Sequence, residues 1–246
     1  MSKDYVLQGK LVFVMGGGKF GTNALHYFKE RGAKVLVADV KSDCLASQEV
    51  DFVSESVDVF YSLKQGQSAL VVNDAVDLLL SALKLRELDL VVTAIKGNAV
   101  AKAVEAYVAK RGMKFEPYSE AVSEVLMNIP ESLVSFVDEK AAVVVVSYMP
   151  SDLRCRENCV PPKGVCAVTG KPKPSTMDKR LAFSVFGLTD VSGVLVSRQL
   201  TGGLGAIEGK DLRSLFTELD SVKVPCTLAV GTACDCHGVL NLAKIK

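Results

Sequence analysis

Gly16, Gly18 and Gly21 fall as G-x-G-x-x-G directly after an apolar run and directly before a helical pattern, and no other stretch of the 246 residues constrains the fold as strongly. Residues 10–15 are short, apolar and rich in β-branched and aromatic side chains, which predicts a buried strand. From Lys19 the period changes: Phe20, Ala24, Tyr27 and Phe28 stand at i, i+4, i+7 and i+8, and Gly32 lies where a helix would stop. Residues 34–39 predict a second strand. Strand, glycine turn, helix and strand within about thirty residues make a βαβ crossover, and a crossover joins parallel strands.

Each glycine has a separate physical task. Gly16 permits the tight turn, Gly18 lets the backbone approach a pyrophosphate, and Gly21 lets the helix pack on the strand. N–H groups at the helix start, with Lys19 and Phe20 beside them, then face the anion. Asp39 ends the second strand eighteen residues past Gly21, close to the spacing of an acid that accepts from the adenosine ribose 2′-OH. A carboxylate there repels a 2′-phosphate, so the expected cofactor is NAD rather than NADP. The bland alternative is a similar unit that binds no cofactor.

On these residues the chain resembles Rossmann-type NAD(P)-binding proteins. Within that class, MGGGKFGTNALHYFKERGAKVLVADV looks most like the nucleotide-binding domains that regulate potassium transport (RCK or TrkA type) and the dehydrogenase module of sirohaem synthases. The resemblance covers residues 10–115 and implies a cofactor class, not a reaction.

Further on, strands are expected at 69–72 and 88–94, and a helix over 98–111 with Val100, Val104, Tyr107 and Val108 on one face. Residues 44–67 are ambiguous: Val57 and Val59 alternate as in a strand, whereas the residues before them could start a helix. A strand near 113–115, a helix near 120–127 and a strand over 141–148 would complete a doubly wound parallel sheet of about six strands. Ligands of such sheets sit beyond the strands' carboxyl ends, which brings Thr93 and Ala94 to the cofactor. In the same loop Asn98 reads as a helix cap, and Lys96 as either an exposed lysine or a catalytic ammonium.

Composition shifts at Pro150, since five of the eight prolines lie between 150 and 174. We therefore expect an α/β chain in two parts: a Rossmann-like dinucleotide-binding domain over 1–149, and over 150–246 a cysteine-rich loop plus a βαβ-like region. The latter reads as a strand at 191–197, the glycine-rich TGGLGAIEG, a helix carrying Leu212, Leu215, Phe216 and Leu219, and a strand at 226–230. Arg198, Gln199, Gly202, Gly203 and Gly205 form either an acid-binding turn or a plain connection.

Twenty-nine Lys and Arg against 28 Asp and Glu give a net charge of +1, which supplies no basic field for nucleic acid. The apolar runs are too short for a spanning helix, so no membrane insertion is expected. The opening MSKDYVLQGK shows no signal core, and a cytoplasmic location follows as an expectation. The partner implied is a small-molecule nucleotide, with a homo-oligomer left open.

Seven cysteines in a reducing compartment argue against a disulfide framework. Cys155, Cys159 and Cys166 crowd the proline-rich loop, while Cys234, Cys236 and His237 stand together in TACDCHG. Thiolates on a loop that lacks a core suit a soft metal, because the ion supplies ordering energy. The x3 and x6 spacing matches neither a zinc ribbon nor a ferredoxin run, and both an iron–sulfur cluster and Zn stay open, the cluster leading. Free buried thiols and a redox pair are the alternatives. Cys44 and Cys226 read as core residues, and His26 as structural or exposed. The reading that joins these features is an NAD(P)-binding, oxidoreductase-like protein with a cysteine-ligated metal or iron–sulfur site; the alternative is a non-enzymatic NAD sensor of RCK type. No catalytic set is apparent.

Overall fold

The computed structural model describes residues 6–150, 152, 153, 155, 156, 158–160 and 163–246. The opening at 1–5 and the pair Pro161 and Pro162, both used in the sequence reading, lie outside the described residues. In chain order the elements are β1 (Leu11–Met15), α1 (Lys19–Lys29), β2 (Lys34–Asp39), β3 (Phe52–Ser54), α2 (Val59–Ser62), β4 (Ser68–Val72), α3 (Ala75–Leu85), β5 (Leu90–Thr93), α4 (Ala99–Ala109), β6 (Phe115–Pro117), α5 (Val122–Met127), β7 (Val134–Asp138), β8 (Val143–Ser147), α6 (Met177–Ser184), β9 (Val191–Val196), β10 (Arg198–Thr201), β11 (Leu204–Glu208), α7 (Gly209–Ser221), β12 (Cys226–Ala233) and β13 (His237–Ile245). The protein is mixed α/β with two sheets, and it divides into two compact units. Among the described residues, no helix is long and apolar enough to cross a membrane.

The first unit ends at Ala99 and takes in Leu204–Arg213 as well. Six of its strands line up as β11–β5–β1–β2–β4–β3. β1 pairs in parallel with β2 (Met15 opposite Ala38) and with β5 (Met15 opposite Thr93), as the crossover requires. All five β1 residues are buried, the mark of a strand covered on both faces. α1 covers it with Gly21, Ala24, Leu25 and Phe28, a face one residue away from the expected one, so Phe20 is 53% exposed. The helix stops at Gly32, whose φ of +75° and whose neighbour's Ala33 N–H to Phe28 O bond (3.0 Å) make a left-handed C-terminal cap.

Two features of this unit differ from expectation. The strand in the ambiguous stretch is β3 at 52–54, and Val59 opens a short helix instead. α3 was missed although Asp74 marks its start, accepting from the N–H groups of Val76 and Asp77.

The second unit comprises Val100–Gly203 and Ser214–Lys246. Its sheet runs β7–β8–β13–β12–β9, with β6 added on β13. β9 and β12 pair in parallel, as the C-terminal βαβ reading expected, whereas the remaining pairs are antiparallel. The strands expected at 113–115 and 141–148 therefore do not complete the sheet of β1. They are β6 and β8, and both belong to this second, mixed sheet. A run of valines states that a strand is buried but not against which partner, so the run over 143–146 fitted either sheet. Val125, Val144, Val146, Met177, Leu181, Leu240 and Leu242 form the core of the unit, each burial contributing roughly 1.5 to 3 kcal/mol.

Candidate functional site

The glycine turn leaves β1 at Gly16, whose φ of +96° only glycine adopts freely. A β-carbon at Gly21 would fall 1.8 Å from Gly16 O, and one at Gly17 would fall 2.5 Å from Cys44 Sγ. Those positions are glycine because the protein's own atoms occupy the space. Gly18 is different: a β-carbon there meets nothing within 4 Å. Its backbone is at φ −76°, ψ −168°, which any residue adopts, and it caps α1 without a side chain. The first turn of α1 has no acidic residue, so nothing in it opposes an anion at the N–H end of the helix.

Asp39 closes this site from β2. Its Oδ2 accepts from the Gly17 N–H at 2.6 Å, and its Oδ1 from the Lys41 N–H at 2.9 Å. The carboxylate thus shapes the turn itself, and each oxygen has lone-pair capacity left for a hydroxyl. At the end of β5, Thr93 lies opposite Met15, and Ala94 O would stand 2.9 Å from a β-carbon on Gly16, so this loop borders the turn. Lys19 and Phe20 are exposed at the start of α1. Asn98 is buried immediately before α4. Cys44, read as a core residue, is buried and also backs the turn at Gly17. Burial, followed by the Asp39 charge, pushes its thiol pKa up. His26 is half-exposed and pairs with Glu49 at 3.3 Å.

In the second unit, residues 164–173 fold back on themselves. Val165 bridges Pro172, Lys173 N–H donates to Gly164 O at 2.7 Å, and Gly170 N–H donates to Cys166 O at 2.9 Å. The Cys166 sulfur sits in a cradle of donors, the Thr169 hydroxyl and the Thr169 and Val168 amides. Burial pushes its thiol up, but these donors and the Lys173 ammonium hold it below the usual thiol range. The fold-back carries Lys173, buried although charged, to Cys236, where Nζ lies 3.1 Å from Sγ.

Cys234 and Cys236 were expected on one side of an extended segment. They occupy the β12–β13 turn instead, closed by Cys234 N–H to His237 O at 2.9 Å. The turn separates their environments: Cys236 faces Lys173, while Cys234 Sγ lies 3.7 Å from His237 Nδ1. Burial pushes the Cys236 thiol up, with Lys173 opposing, and burial lowers the His237 pKa. Cys155 shares a hydrogen bond with Cys159 and feels the charges of Cys236 and Cys166; burial, then Cys159, raises its thiol to about 11. Among the described residues no group of three or more His, Cys, Asp or Glu side chains is arranged to hold a metal ion.

The stretch around 158–159 is anchored by Gln199, whose amide donates to Cys159 O, and by Gly202, where a β-carbon would come within 2.7 Å of Asn158 O. Gln199 and Gly202 therefore hold the cysteine loop rather than forming an open turn. Sequence reasoning missed Lys173 and Thr169. The Thr-Gly pair three residues past Cys166 was the available signal for the donor cradle; a buried lysine leaves none.

The chain matches the family described as "Uncharacterized protein, C-terminal domain" over residues 90–246, and its companion "Uncharacterized protein, N-terminal domain" over residues 11–96. It is 33% identical over 231 residues to a protein of Archaeoglobus fulgidus described as "Uncharacterized protein", which covers 94% of this chain and 98% of the relative. No solved structure matches. The chain belongs to this family of proteins with paired N- and C-terminal domains.

Proposed function

We propose that this member of the family is an NAD-binding, oxidoreductase-like protein whose second unit holds a cysteine-ligated metal or iron–sulfur site. The observation that carries the nucleotide reading is Gly18. Glycine costs conformational entropy, roughly 0.5 to 1 kcal/mol against alanine in regular structure. Neither its backbone angles nor any neighbouring atom requires it here. A ligand backbone pressed against position 18 would require it, and the donors of a helix start lie beside it. The strand order supports the same reading. From β1 the chain passes to β2, then to β3 at the edge, returns to β4 between them, and crosses to β5 on the other side of β1, so the turn after β1 and the loop after β5 flank a topological switch point.

In this reading Gly16 to Gly21 hold the pyrophosphate, Asp39 accepts from the adenosine ribose, and Thr93 and Ala94 border the bound nucleotide. When bound, NAD supplies a hydride acceptor; the chain positions it. The donor cradle around the Cys166 sulfur, which favours its thiolate, supports thiolate ligation in the second unit. Calorimetry with NAD, NADH and NADP tests the first part. Saturable binding with NAD(H) preferred is expected, and no binding up to millimolar nucleotide overturns it.

A further inference from the structure

The Lys173 ammonium lies 3.1 Å from the Cys236 sulfur, although 63 residues separate the two in the chain. We propose that these side chains form a peroxide-responsive covalent couple: a hydroperoxide oxidises Cys236 to its sulfenic acid, and Lys173 condenses with it to give a reversible Nζ–Sγ bond. The inference stands apart from both the nucleotide and the metal readings, and it gives Cys236 a role other than ligation.

The geometry supplies what the condensation needs. Lys173 is 7% exposed, and among the described residues no carboxylate pairs with it, so its ammonium is directed at the sulfur alone. Burying a lysine without a counter-charge is costly, and an acid would serve a plain structural tether better. Both backbones are fixed. Pro172 and Pro174 flank Lys173, Pro172 bridges Val165, and the Lys173 N–H donates to Gly164 O at 2.7 Å. Cys236 O accepts from the Tyr148 N–H at 3.0 Å. Nitrogen and sulfur are thus held at the separation from which a bond forms, about 3 to 3.5 Å. Cys236 is only partly buried, which leaves a small hydroperoxide a way to the sulfur. The competing thiol, Cys234, is directed elsewhere, with its Sγ 3.7 Å from His237 Nδ1.

With hydrogen peroxide as the oxidant, the Cys236 sulfur attacks one oxygen, the O–O bond breaks, and Cys–SOH and water are formed. The sulfur loses two electrons and the peroxide gains them. Lys173, having released one proton to solvent, then attacks the oxidised sulfur. The N–S bond forms, the S–O bond breaks, and the departing hydroxide takes a second ammonium proton and leaves as water, so one N–H remains. This step needs no further oxidant. Two equivalents of an added thiol reverse it, restoring the Cys236 thiol and the Lys173 amine and forming the disulfide of the reductant. While it lasts, the bond ties the fold-back at 164–173 to the β12–β13 turn.

Mass spectrometry of the reduced full-length chain after treatment with hydrogen peroxide tests the proposal. Peptide mapping should find the segment containing Lys173 joined to the segment containing Cys236, with the loss of two hydrogens, and dithiothreitol should separate them. Dimedone present during oxidation should label Cys236 and suppress the joined product. Cys234→Ser should still give the product, and Cys236→Ser should abolish it. Lys173→Arg keeps the positive charge but not the amine, and should leave Cys236 as a dimedone-reactive sulfenic acid. Circular dichroism of each variant checks folding, and the wild-type map decides the question without them. A disulfide between Cys236 and any other cysteine in place of the Lys173 product overturns the couple. So does Cys236 oxidised but unattached, a product that retains an oxygen between nitrogen and sulfur, or a Cys236 that reacts only after a chelator strips a bound metal; the last outcome leaves the metal reading standing.

Discussion

The Gly17 N–H donates to Asp39 Oδ2 at 2.6 Å, tying the turn after β1 to the end of β2. Asp39 also accepts from Lys41 N–H, so it holds two backbone donors. Asp39→Ala should lower stability by about 1.5 to 3 kcal/mol, the range for hydrogen bonds to a charged group. Asp39→Asn keeps one acceptor oxygen and should lose less. Urea denaturation of both variants, run beside nucleotide titration, separates the shaping of the turn from ribose recognition: Asp39→Asn should also reduce the preference for NAD over NADP.

Gly18 and Gly21 should respond in opposite ways to alanine. Gly21→Ala places a methyl 1.8 Å from Gly16 O, and backbone cannot yield cheaply. A loss of about 1 to 3 kcal/mol or more is expected from overpacking. Gly18→Ala enters open space and should change stability by no more than about 0.5 kcal/mol. Its nucleotide affinity should nonetheless fall. Denaturation midpoints and calorimetry on the two variants check the contrast.

Asp51 gives the first unit part of its acid sensitivity. Burial pushes its carboxyl pKa up, but hydrogen bonds from Lys29 Nζ (2.9 Å) and from Ser68 Oγ and N–H (2.8 Å each) outweigh that, and the net shift is downward. A depressed folded pKa contributes stability above the unfolded value of about 4, lost as pH falls through the folded pKa. The stability gap between wild type and Asp51→Asn should therefore be constant above about pH 5 and close as acid is added. Urea midpoints measured from pH 7 down to pH 2 will show it.

Tyr107 of α4 stacks on Phe216 at 4.3 Å between centroids and donates its hydroxyl to Asp220 Oδ2 at 2.8 Å. Burial and that bond push its pKa up to about 12. The folded state thus keeps a proton that an unfolded tyrosine releases near pH 10, so this group lowers stability as pH rises from about 10 to 12. Ultraviolet titration should find one tyrosine ionising about two units late, and Tyr107→Phe should abolish that step. The phenylalanine keeps the stack and should cost about 1 kcal/mol.

The glycine turn could be read locally because each of its requirements is local: a strand, a left-handed Gly16, a helix pattern and an acid at the next strand end lie within thirty residues of one another. The same locality recovered β1, β2, β4, β5, α1, α4 and the parallel β9–β12 pair. The sequence did not determine which sheet a strand joins. β6 and β8 carry apolar residues suited to either, and pairing with β13, more than ninety residues later than β8 begins, settled it. Nor could spacing divide Cys234 from Cys236, since a turn at 234–237 sends one sulfur toward His237 and the other toward Lys173. Hydrophobic period and glycine conformation are written in consecutive residues. The partner of a buried charge such as Lys173 depends on contacts 63 residues apart, and only the folded chain brings them together.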